Sequence, residues 1–86
     1  MYVWVIETQD RDDKYCEHNS EIVAIYSEEH FEDAKDEFDW LCKNRTDEHD
    51  EIEEWESNKG YHFTSENGEY ETYRMSYVGL IKMEVK

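Results

Sequence analysis

The stretch TDEHDEIEEWESNKG, Thr46–Gly60, supplies the second helix of the fold read from this sequence. Thr46 offers an N-cap, Gly60 a C-terminal stop, and Ile52 with Trp55 a narrow apolar stripe between them. Seven of the ten residues from Asp47 to Glu56 are carboxylates, so this helix is short, acidic and marginal.

Upstream lies a stronger helix. Ser27 can cap it, and Glu28 and Glu29 in its first turn suit the positive end of the helix dipole. Phe31, Ala34, Phe38 and Leu41 recur at spacings of three and four, lining one face for a sheet as far as about Asn44. Before it, YVWVIE (Tyr2–Glu7) and EIVAIY (Glu21–Tyr26) read as strands, and the polar segment Thr8–Ser20 as a long hairpin connection. Downstream, Asn67-Gly68 marks a two-residue hairpin turn. From Tyr73 the odd positions Tyr73, Met75, Tyr77, Ile81, Met83 and Val85 are apolar, which gives a long strand bulged at Gly79. The expected fold is α+β, in the order ββααββ. A four-stranded, mainly antiparallel sheet carries the main amphipathic helix on one face, with the short acidic helix as a second.

At 86 residues the chain is one domain, residues 1–86, with a core too thin for a deep internal active site. An aromatic content of 15% argues for a folded chain, while a net charge of -15 opposes compaction and makes stability rise with salt. Neither an apolar run of the ~20 residues a membrane span needs nor a secretory leader is present, so a cytoplasmic protein is expected. Cys16 and Cys42 are then expected as free thiols rather than a disulfide.

The charge is concentrated. Residues 28–56 hold 14 Asp or Glu against three Lys or Arg. Like charges three or four apart on a helix cost roughly 0.2–0.5 kcal/mol per pair, and a merely soluble surface would intersperse lysines. Duplex DNA carries one charge per ~3.4 Å along each strand, and its binders meet it with Lys and Arg. A helical rod of carboxylates presents a comparable field to such a basic channel. The partner-binding residues assigned on this basis are Glu29, Glu32, Asp33, Asp36, Glu37 and Asp39, with Trp40 as an anchor, followed by Asp47, Glu48, Asp50, Glu51, Glu53 and Glu54. A solvated face of an acidic protein is the plainer meaning of a charge run.

Metal binding finds little support. Cys16 and His18 are too close for the usual ligand spacers, and His30 and Cys42, on one helix, stand about 18 Å apart at ~1.5 Å per residue. An EF-hand reading of Asp10–Glu21 fails because Lys14 and Tyr15 occupy a ligand position and the glycine position. No phosphate-binding glycine loop and no nucleophile–base set stands out, so no catalytic residue, metal or cofactor is assigned and an enzyme is not expected.

The segments MYVWVIE and IVAIYSEEHFEDAKDEF combine a strand, a capping Ser and an acidic amphipathic helix. Over residues 1–44 this resembles small acidic accessory proteins of bacteriophages, including DNA-mimic inhibitors of host restriction, CRISPR or repair proteins. The resemblance implies a binding protein that blocks a basic nucleic-acid-binding protein of the host without itself binding nucleic acid or membrane. A homodimer is compatible with it. The alternative is a non-enzymatic accessory domain whose acidity serves solubility and whose contacts use the sheet, with Tyr61, Tyr70, Tyr73 and Tyr77.

Overall fold

The computed structural model of the protein describes residues 1–12, 17–48, 50–67 and 73–85. The strands are β1 (Tyr2–Asp12), β2 (Glu17–Ser27), β3 (Glu51–Ser57), β4 (Gly60–Asn67) and β5 (Arg74–Glu84). A 3-10 turn, Glu28–His30, leads into α1 (Phe31–Asn44). All five strands join one antiparallel sheet in the order β2-β1-β5-β4-β3, and α1 packs on one face of it. The ββααββ order with a four-stranded sheet and two helices is therefore corrected. The described residues hold one α-helix and a fifth strand.

The fifth strand is the segment expected as the acidic helix. β3 pairs with β4 from Glu51 opposite Glu66 to Ser57 opposite Gly60. Ile52 and Trp55, three apart, are too few to fix a helical stripe, and a helix would stack the surrounding carboxylates at repulsive spacings. An extended chain alternates its side chains instead. Ile52, Glu54 and Glu56 turn to the helix side of the sheet, and Glu51, Glu53 and Trp55 to the other. Trp55 then stacks on His62, directly opposite it, with ring centroids 5.1 Å apart. Thr46, expected as a cap for that helix, donates its hydroxyl to the Cys42 carbonyl and closes α1. Gly60 opens β4 with φ 153°, a conformation side chains rarely adopt, and a Cβ there would run into the Leu80 carbonyl.

The polar segment Thr8–Ser20 also needs correction. Thr8 to Asp12 pair with Glu21 to Glu17 on one side and with Val78 to Arg74 on the other. Because β1 is central, its backbone is satisfied from both sides, which overrides a poor strand composition. The register shift expected at Gly79 lies instead between β1 and β2 at Ile6/Glu7. β4 and β5 do form a hairpin, but Glu66 pairs with Met75, well beyond the position a two-residue turn at Asn67-Gly68 would set opposite it. Gly68 itself lies outside the described residues.

The core consists of Ile6, Ala34, Phe38, Leu41, Cys42, Phe63, Val78 and Leu80, with Trp4, Ala24, Tyr26, Phe31 and Tyr61 packed at its margin. Ala34, Phe38 and Leu41 are buried as their spacing predicts, whereas Phe31 is half-buried against Trp4 and Tyr61, at 4.8 and 5.9 Å. On β5 the helix covers the even positions Val78 and Leu80. The apolar odd positions Tyr77, Ile81 and Met83 therefore face away from α1, beside Val5 and, beyond it, Ile25. No element packs on that second face among the described residues.

Gly60 gives a direct test of the β3–β4 turn. Gly60→Ala should destabilise the domain by about 1–3 kcal/mol from backbone strain, or more if Leu80 cannot yield. Urea unfolding followed by circular dichroism measures this, and unchanged stability would remove the positive φ.

Candidate partner-binding site

α1 turns Ala34, Phe38, Leu41 and Cys42 inward, so its acidic positions form the opposite ridge. Glu29, Glu32, Asp33, Asp36 and Asp39 are exposed, and Glu37 is half-buried and accepts a hydrogen bond from the Tyr26 hydroxyl. This contact, then burial, raises the Tyr26 pKa. On α1, four-residue steps of about 6 Å along the axis place Asp33 and Glu37 in one row and Glu32, Asp36 and Trp40 in another, and Glu29 lies on the 3-10 turn that precedes them. His30 approaches Glu29 and Asp33 at 3.9 and 3.6 Å, and Lys35 binds Asp39 at 2.6 Å. Trp40 does not close the core edge; it is 63% exposed at the end of its row.

The residues expected to continue this rod do not. The Asp50 side chain is 2% exposed; it accepts hydrogen bonds from Asn67 Nδ2 at 3.1 Å and the Asp47 N–H at 3.0 Å, and faces Arg74 at 3.6 Å. Asp47 accepts from the Glu48 N–H and also faces Arg74, at 3.8 Å. Asp47 and Asp50 thus brace the α1–β3 connection against the β4–β5 hairpin. Glu48 is exposed beside them, Glu51 and Glu53 project from the face away from α1, and Glu54 turns toward α1. The assigned residues are divided among the ridge, this brace and an edge strand.

A second feature was not visible from spacing. Between α1 and the β3–β4 hairpin lies an open cleft of about 300 Å³, lined by Lys35, Phe38, Asp39, Glu54, Trp55, Glu56, Tyr61 and His62. Lys35 Nζ stands 5.3 Å from the Phe38 ring centre and 5.4 Å from that of Tyr61, while it binds Asp39. The sequence signal was slight, Trp55 set among Glu53, Glu54 and Glu56 with Tyr61, His62 and Phe63 following, and the reading of Thr46–Gly60 as a helix concealed it.

On the other face, Ser57 Oγ lies 2.7 Å from His62 Nε2, and His62 Nδ1 lies 2.8 Å from the Tyr77 hydroxyl. In a hydrolase the third member is a carboxylate that stabilises the imidazolium. Tyr77 gives no such counter-charge, because burial, then Glu7, raises its pKa and keeps it neutral. Ser57 also accepts the Lys59 N–H, so the chain of bonds ties down the β3–β4 turn. Gly79, opposite His62, leaves room for the Tyr77 ring to lie across it.

Cys42 is a free, buried thiol, and burial, followed by Asp39 and Glu54, pushes its pKa up to about 12. Cys16 and His49 lie outside the described residues. Among the described residues no group of three or more His, Cys, Asp and Glu is arranged to hold a metal ion, and no helix is long and apolar enough to cross a membrane. Comparison with known protein families, characterised proteins and solved structures finds no match, so function is argued from this geometry alone.

Two measurements test these assignments. Asp50→Ala should cost about 1–3 kcal/mol in urea unfolding, as expected for buried partners left without hydrogen bonds, while Glu53→Gln stays within about 0.5 kcal/mol. Equal effects would remove the bracing role. In a Cys16→Ser variant, Cys42 should react with a thiol reagent at pH 8 only as fast as the protein opens. The unfolded chain releases the thiol proton first, so this group's contribution is complete below the ordinary thiol range and is lost as pH rises toward 12. Rapid labelling of the native protein would contradict its burial.

Proposed function

We propose that the chain is a non-enzymatic binding protein that occupies a basic, nucleic-acid-binding surface of a partner protein, with the α1 ridge standing in for phosphates. The observation that supports this reading is the pair of short rows on α1, Asp33 and Glu37 beside Glu32 and Asp36, with Glu29 on the 3-10 turn just before them and exposed Trp40 at the end. From Glu32 to Asp39 five carboxylates extend over about 10 Å of the α1 axis, a density within a factor of two of the one charge per ~1.7 Å of duplex DNA. Lys35 offsets part of the charge at Asp39, and Glu32 and Asp36 have no basic partner among the described residues. A basic partner would gain both steering and counterion release from such a surface, and Trp40 would supply apolar area at its margin. A bacteriophage inhibitor of a host DNA-binding or defence protein is one setting that suits this chemistry.

A second reading has its own observation. The sheet face away from α1 exposes Ile22 and Ile25 at 63% each, with Met83 beside them, and an accessory domain could make its contacts there. The two surfaces lie on opposite sides of the sheet, so variants separate them. A partner captured from lysate at low salt should bind Glu32→Lys/Asp33→Lys/Asp36→Lys with an association rate at least about tenfold slower, measured by surface plasmon resonance. Ile25→Ser/Met83→Ser should stay within about twofold, because it leaves the charged face intact. The reverse ranking would transfer the function to the sheet.

A further inference from the structure

The cleft between α1 and β3–β4 already holds one cation. Lys35 lies over the Phe38 and Tyr61 rings and binds Asp39 at 2.6 Å, a combination of ring faces and carboxylate that suits alkylammonium or guanidinium groups. Across the cleft, Glu54 and Glu56 belong to the helix-facing side of β3, with Glu56 directly opposite Tyr61 on β4. Neither has a basic partner among the described residues. The lining therefore carries three carboxylates for one lysine, next to an aromatic surface, in an opening of about 300 Å³. An opening of that size has room for a single long side chain, at the small end of the range of about 300–1,000 Å³ that ligand pockets span.

We propose that this cleft is a receptor for a single arginine side chain projecting from the partner's basic surface. The guanidinium enters between Lys35 and β3, pairs with Glu54 and Glu56, and lies beside the Tyr61 ring. Arginine is favoured over lysine because a planar, weakly hydrated fork can meet two carboxylates and an aromatic face together. Such a residue, desolvated in a pocket beside a field of long-range charge, has the character of a binding hot spot. The site is complementary to the ridge: the ridge attracts a basic surface at a distance, and the cleft reads one side chain at contact. The inference rests on the proposed binding to a basic partner, but its chemistry can be tested without one.

The probe is N-acetyl-arginine amide, titrated at low salt into the full chain labelled with 15N, with amide shifts as the readout. Saturable shifts should centre on Lys35, Asp39, Glu54, Glu56 and Tyr61. Glu54→Gln/Glu56→Gln should weaken binding at least about tenfold, and Tyr61→Leu severalfold, whereas Glu32→Gln/Asp36→Asn on the ridge should change it less than about twofold. Each variant's own spectrum verifies that it is folded. N-acetyl-lysine amide should bind more weakly than the arginine probe. Shifts that spread over every acidic surface without saturating, equal losses from ridge and cleft variants, or tighter binding of the lysine probe would each overturn the proposal. These outcomes are read without partner or nucleic acid. Failure of the cleft is thus distinct from failure of the ridge as a nucleic-acid competitor.

Discussion

One packed layer orients the whole surface of this protein: Ala34, Phe38, Leu41 and Cys42 of α1 against Ile6 of β1, Phe63 of β4, and Val78 and Leu80 of β5. Because these side chains must face the sheet, Glu32, Asp33, Asp36, Asp39 and Trp40 of α1 face solvent, and all but the last are acidic. The same contact sets Lys35 and Asp39 over the β3–β4 hairpin and so opens the cleft. It also leaves the opposite sheet face, with Ile25, Ile81 and Met83, without a covering layer among the described residues. Truncating Phe38, at the centre of the layer, would remove about 3–5 kcal/mol and with it the geometry of both candidate surfaces.

The basic residues explain how so acidic a chain stays folded. Arg74 faces Asp47 and Asp50, Arg45 lies 3.5 Å from Asp10, and Lys82 binds Glu28 at 3.0 Å while resting over Tyr2 and Trp4. Each of these pairs joins separate elements of the fold. Apart from Arg74–Asp50, whose carboxylate is buried, such surface pairs contribute little individually, but together they place positive charge where the self-repulsion of a net charge of -15 would open the structure. Their use at the joints leaves Glu32 and Asp36 on α1 and Glu54 and Glu56 on β3 without internal partners among the described residues. Those are the surfaces to which an external cation would be drawn.

α1 was legible in the sequence because four apolar residues at helical spacing define a face, and its end at Asn44 agrees with that pattern. The first strands were legible from their β-branched and aromatic content. The segment Glu51–Ser57 was not, because Ile52 and Trp55 satisfy a helical spacing and also sit, as they do here, on opposite faces of a strand. What decides between the two is β4, and that pairing is tertiary information. Thr8–Asp12 misled for the same reason: a central strand gains its stability from neighbours on both sides. The candidate site followed suit. Residues of one contiguous segment, Glu29 on the 3-10 turn and Glu32 to Trp40 on α1, could be grouped from spacing alone, whereas the cleft joins Lys35, Glu54, Glu56 and Tyr61 from three elements. The bracing role of Asp50 depends on Arg74 and Asn67, far along the chain.

Competition decides whether the ridge of α1 takes the place of nucleic acid. A partner captured from lysate is bound to a fluorescent DNA duplex, the acidic protein is titrated in, and anisotropy and the size of the complexes are followed at several salt concentrations. If the ridge replaces phosphates, the duplex is displaced completely, no complex contains all three components, and the apparent affinity falls steeply as salt rises. A stable ternary complex, with the duplex still bound at saturating protein, would contradict it.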